Sequence, residues 1–245
     1  MRRILLAVAV LVVSAPAFAG TADFTLSCLS LPGGCTAFQG DFNNITEDLT
    51  GGLHYRALGP AAATGITGVG IGAYASYTPV QHKDSWKNLT GSDVTAVGMA
   101  GIAVTKGLPF NFDIGATYSA IPGTGARLYG AELRYAILPG GIAEPALAVR
   151  VAYTGTSGID HFKYSATSAD VSLSKGFAFL TPYIGAGYVR GVADPDASTG
   201  LQKDTVNRSR AFAGLRIAML LFEITPEYER TGSNNSYDLR LGLSF

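Results

Sequence analysis

The chain lacks any apolar run long enough to cross a bilayer as a helix. Its longest, Ile4 to Val13, falls well short of the roughly 20 residues that a spanning helix needs. Charge is also scarce: aspartate, glutamate, lysine and arginine make up only 15% of the chain, and 18 basic residues balance 18 acidic ones. With no basic cluster, a nucleic-acid partner is excluded. There are two cysteines, Cys28 and Cys35, and three histidines, His54, His82 and His161. The C-x6-C spacing fits no zinc pattern, so neither a metal nor a cofactor is expected.

What the chain does have begins at residue 2. Arg2 and Arg3 precede the short apolar run, and Ala17-Phe18-Ala19 supplies a small-residue cleavage site before Gly20. Residues 1–19 therefore read as a secretory signal peptide. The remaining 226 of the 245 residues carry 16 basic and 18 acidic groups. In an oxidising compartment Cys28 and Cys35, which flank the turn-forming Leu-Ser-Leu-Pro-Gly-Gly, are expected to form a small disulfide.

The last eleven residues set the pattern for the rest. Tyr237, Leu239, Leu241, Leu243 and Phe245 fall on one side of an extended chain, and Asp238, Arg240, Gly242 and Ser244 on the other. Alternation of period two is a strand signal. Ending such a strand on an aromatic resembles the terminal signature of Gram-negative outer-membrane β-barrels. That resemblance implies outer-membrane lipid and the barrel-assembly machinery as partners, with Phe245 as the assembly signal.

Nine further strands precede the terminal one, over 66–78, 94–105, 110–119, 127–137, 146–154, 164–175, 182–192, 208–218 and 222–230. The fold class is thus all-β, an antiparallel transmembrane barrel of about ten strands over residues 65–245, with eight or twelve as alternatives. Joins alternate between short (106–109, 138–144, 176–181, 219–221) and longer, polar ones (79–92, 155–163, 193–207). This places the longer set outside and the tight set in the periplasm. A soluble β-sandwich would bury the apolar rows instead; the aromatics at strand ends and a mean hydropathy of +0.24 favour lipid. The faces of the second and seventh strands cannot be assigned, because small residues and glycines occupy both sides.

On the inward rows the alternation places Glu132, Arg134, Arg150, Arg208, Arg210, Arg216, Glu223, Glu227, Glu229, Asp238 and Arg240. Unpaired charge in a narrow lumen is costly, so a salt-bridge network is expected, with Arg216 near Glu223 and Arg210 near Glu229. The inner face of the first strand is bare, with Gly68, Gly70 and Gly72 in sequence.

Residues 20–64 read differently. Phe42, Ile45 and Leu49 recur at helical spacing within 38–49, with Asp41, Glu47 and Asp48 between them. The stretch from Phe42 through Leu53 to Pro60 and on to Gly68 resembles the start of some small outer-membrane barrels in which an acidic helix precedes the first strand. One reading makes this helix a periplasmic cap or leader. The other makes it a plug across the periplasmic mouth, lying over the bare glycine wall and meeting lumenal arginines such as Arg134, Arg150 or Arg240.

Two function classes follow: passive or gated passage of small molecules of unspecified chemistry, and a structural or surface-interaction barrel. Catalysis is not expected. His161 and Ser165 lie beside Asp160, but their spacing does not match the H-x-S pattern associated with outer-membrane lipid deacylases.

Overall fold

The computed structural model describes residues 24–141 and 144–244. The signal peptide and Phe245 lie outside them. Ten antiparallel strands close into a barrel: β1 Val69–Pro79, β2 Ala96–Gly107, β3 Phe112–Ala120, β4 Arg127–Pro139, β5 Ala146–Ser157, β6 Phe162–Ser174, β7 Leu180–Pro195, β8 Asp204–Met219, β9 Phe222–Thr231 and β10 Asn234–Ser244. Each strand pairs with its sequence neighbour. The ring closes where β1 meets β10, from Gly70↔Ser244 to Tyr77↔Tyr237. A closed ring leaves no edge strand, the condition for a sheet to sit in hydrocarbon.

The surface is inverted relative to a soluble protein. Ile71, Ile102, Ile114, Leu133, Val151, Val171, Ile184 and Leu241 are exposed on the outer wall, whereas Glu132, Arg150, Asp170, Arg210, Glu229 and Arg240 are buried within. The outward tyrosines Tyr77, Tyr118, Tyr129, Tyr153, Tyr188, Tyr228 and Tyr237 follow the strand stagger as one row. Such a row is where amphipathic rings sit at a membrane boundary.

Two helices complete the fold. The expected one is α1, Gln39–Gly52. The second, α2, Lys83–Thr90, lies in the β1–β2 connection that read as a polar loop, and it stops at Gly91, whose φ of 76° is the left-handed conformation glycine adopts freely. The faces left open by the sequence are also settled. On β7 the inward row is Thr181, Tyr183, Gly185, Gly187, Val189, Gly191 and Ala193. On β2, Met99 and Ala103 point inward while Ile102 and Val104 face out.

Candidate functional site: a filled lumen and a capped mouth

The N-terminal segment runs the full length of the lumen. It starts outside the mouth formed by the longer connections, where Phe24 meets Trp86 and Phe162 edge-on at 6.0 and 6.1 Å. The Cys28–Cys35 disulfide is formed there, with both cysteines fully buried. α1 then fills the mouth. Phe42 packs edge-on against Phe162 at 5.8 Å, and Phe42, Ile45 and Leu49 join Trp86 and Leu89 of α2 in the main apolar core.

The helix was expected at the mouth from which β1 departs; it closes the opposite one. The reason is chemical. Its apolar stripe needs an apolar surface, and the connection end supplies a large one, through Trp86, Leu89, Phe162, Tyr164 and Val189, where the tight-turn end has a small alanine cluster. That end of the lumen is otherwise lined by charge. Residues 53–68 lead back through the barrel to β1.

Asp48, fully buried, ties this cap together. One oxygen accepts from the Gln81 amide at 2.9 Å and the Asn234 side chain at 2.9 Å; the other accepts from the His82 amide and the Trp86 indole, both at 3.1 Å. One carboxylate thus joins α1 to the β1–β2 connection and to the start of β10. It does not reach Arg134, Arg150 or Arg240. Asp41 lies beside the Asn88 amide at 3.4 Å, and Glu47 pairs with Arg208 at the rim.

Below the cap, His54, Tyr55 and Arg56 occupy the middle of the lumen. Arg56 pairs with Glu229 and donates to Ser236 at 2.9 Å and to the Gly51 carbonyl at 3.0 Å. His54 Nδ1 is 3.0 Å from the Thr50 carbonyl and Nε2 is 2.7 Å from Glu229 Oε1. The imidazole is thus flanked by a carbonyl oxygen on one side and a carboxylate on the other. Tyr55 lies where two strands carry inward glycines: a Cβ on Gly115 or Gly130 would come within 2.7 and 2.8 Å of its ring or hydroxyl. Lower down, the Pro60 carbonyl accepts from Arg134 at 2.8 Å, the Ala61 amide donates to Ser174, and the Thr64 amide donates to Asp113 at 3.0 Å.

The residues expected in the lumen fall into two groups. In the upper one, Arg150 forms a two-point pair with Asp170 at 2.8 and 3.1 Å and lies 3.7 Å from Glu132. Arg210 bridges Asp170 at 3.1 Å and Glu229 at 2.6 Å. Near the tight-turn end, Arg134 pairs with Asp113 at 3.0 Å and Arg240 with Glu223 at 2.8 Å, while Arg216 stands 3.9 Å from Glu223. Glu227 accepts from the Tyr183 hydroxyl at 2.6 Å. Asp238 lies 3.8 Å from Arg56. Arg208 belongs to neither group, since it turns toward the cap. The space over Gly70 and Gly72, expected to hold the plug, is taken by the side chains of Thr105 and Arg240.

Arg56, Asp48 and His54 were not expected in these roles. Asp170 lies on the inward row that alternation gives the sixth strand, and Asp113 on the polar row of the third; both are buried and paired with arginines. Around β8–β10, Glu227 Oε1, Thr225 Oγ1, both Asp238 oxygens, Arg240 Nε and Arg216 Nε are buried without hydrogen-bond partners. Such a cluster suits ordered water.

The closed ring, its apolar outer wall and its charged interior define a small transmembrane β-barrel. Neither a family model nor a curated protein matches the chain by sequence. Among solved structures it is similar to the N-terminal β-barrel domain of Pseudomonas aeruginosa OprF, at 15% identity and a TM-score of 0.39, covering 74% of this chain and 99% of that one. It is also similar to the KdgM porin in complex with oligogalacturonate, at 8% identity and 0.38 over 71% and 99% of the two chains. A third is the attachment invasion locus protein Ail of Yersinia pestis, at 13% and 0.35 over 73% and 97%.

Proposed function

We propose that the chain is an outer-membrane barrel closed at rest by its own N-terminal segment, and that it works as an anchored scaffold presenting a capped mouth outside rather than as an open pore. Bilayer lipid contacts the outer wall, and the assembly machinery engages the terminal strand through Phe245. One observation carries the reading: the segment lines the lumen with contacts along its length, buried from Phe42 at the mouth through Arg56 and half-buried at Thr64 beside β3. Inward glycines fit that segment closely, and buried ion pairs fix it. Stripping one partner from a buried pair is strongly destabilising, at about 3–5 kcal/mol, so the segment behaves as core.

Planar-bilayer recording of the full chain tests this. A silent baseline at all voltages is expected; regular conductance steps would refute closure. Gated passage of a small solute is the second reading. It draws on the partnerless polar atoms around Glu227 and Asp238, which would give a hydrated half-channel below Arg56. A deletion of residues 24–64 that still folded and conducted would favour it.

A further inference from the structure

The tight turns opposite the cap are apolar at their tips. Phe110 is 86% exposed and Leu220 is fully exposed, and Phe177, Phe179 and Leu221 are more than half exposed. Phe110 and Leu220 have φ of 61° and 57°, a left-handed backbone that side-chain-bearing residues seldom adopt. Soluble turns place glycine, asparagine or aspartate at such positions. Here, 107–112 reads Gly-Leu-Pro-Phe-Asn-Phe and 219–222 reads Met-Leu-Leu-Phe, without a charge in either.

The height of the outer wall gives these tips an occupant. Above the tyrosine row the outer face turns polar at once, with Arg127, Arg190, Arg230 and Asn235, so that row marks one membrane boundary. Below it the strands are short. Six positions separate Tyr118 from Phe112, Tyr153 from Leu147 and Tyr228 from Phe222. Eight separate Tyr77 from Val69, Tyr129 from Ile137 and Tyr188 from Leu180. At about 3.3 Å per residue and a tilt of about 40° that is only about 15–20 Å of wall, against an apolar band of about 25 Å. The missing height lies beyond the strand ends, where the turns are.

We infer that the tight-turn rim is a lipid-binding surface: Phe110, Phe177, Phe179, Leu220 and Leu221 extend the apolar belt past the strands and are immersed in the acyl chains of the leaflet opposite the cap. The rim is continuous with the lipid-facing wall, and the turns at 107–112, 176–179 and 219–222 carry no charge, the exposed Glu144 marking the β4–β5 turn as the polar exception, so hydrocarbon fits these three tips better than a polar periplasmic partner. The inference rests on the membrane reading above, and its test separates the two.

Single tryptophans are placed in the full chain by Leu220→Trp and Phe110→Trp at the rim, Leu241→Trp on the outer wall, and Asp160→Trp on a connection at the capped end. Each variant is refolded into phosphatidylcholine vesicles, checked for heat-modifiable migration, and compared with the parent, whose native Trp86 is buried. Brominated acyl chains are expected to remove most of the added emission of the rim and wall variants, with a blue shift, and to leave the Asp160→Trp variant unchanged. Quenching at position 241 with water-like, unquenched emission at 110 and 220 overturns the inference and leaves the membrane reading intact. Unquenched emission at 241 as well overturns both.

Discussion

Asp48→Ala removes the acceptor for four donors at the junction of α1 with the β1–β2 connection and the start of β10. The amides of Gln81 and His82 are partly exposed and regain water when released. The Trp86 indole and the Asn234 side chain are buried and do not. Leaving a buried donor unsatisfied costs about 1–3 kcal/mol, so two give about 2–6 kcal/mol. The variant also no longer desolvates a carboxylate, which places the expected loss in the lower half of that range. Trp86 is the one tryptophan of the chain and is fully buried, so its emission reports the cap directly. In detergent micelles, a urea titration followed by this emission should show its midpoint moved to lower urea with the slope unchanged. The heat-modifiable barrel band should persist beyond that transition. An unchanged midpoint would refute the claim that this carboxylate clamps the cap.

Three further outcomes are expected. Gly191→Ala places a Cβ within 2.0 Å of Thr50 Oγ1 and should destabilise the cap by about 1–3 kcal/mol as overpacking does; adding Thr50→Ala should recover part of that loss in the same titration. In double-mutant cycles, Glu223 should couple more strongly to Arg240, at 2.8 Å, than to Arg216, at 3.9 Å; equal coupling would sink the assigned geometry. Replacing Cys28 and Cys35 by serine opens a short loop and should cost about 2.5 kcal/mol by the chain-entropy estimate, seen as a Trp86 transition at lower urea, while mass spectrometry of the unreduced parent should find the two cysteines joined.

The strands were legible because a barrel wall separates lipid from lumen residue by residue, and that contrast writes itself as alternation. Tyr237 to Leu243 shows it cleanly. It failed where both faces carry small residues: Gly185 and Gly187 on β7 gain their direction only from Phe212 and Asp170 opposite them. α2 was missed although Trp86 and Leu89 stand three apart and Gly91 follows, because eight polar-rich residues give little periodicity to read. The helix α1 was legible as a helix but not in its destination. Its position depends on an apolar surface assembled from Trp86, Phe162 and Val189, far apart in sequence. The seating of Tyr55 over Gly115 and Gly130 has the same character, since a glycine on a strand shows that something approaches without showing what.

The threading of the segment through the ring fixes an order of assembly. β1 and β10 meet at a seam that joins residues about 160 positions apart, Tyr77 to Tyr237. Through the ring that this seam closes passes a chain bearing a helix and a disulfide-bonded turn on the far side. Such a knob would have to be drawn through the pore if the ring closed first. Where the helix and the disulfide form first, the seam is the last join, made around a segment already laid along the sheet.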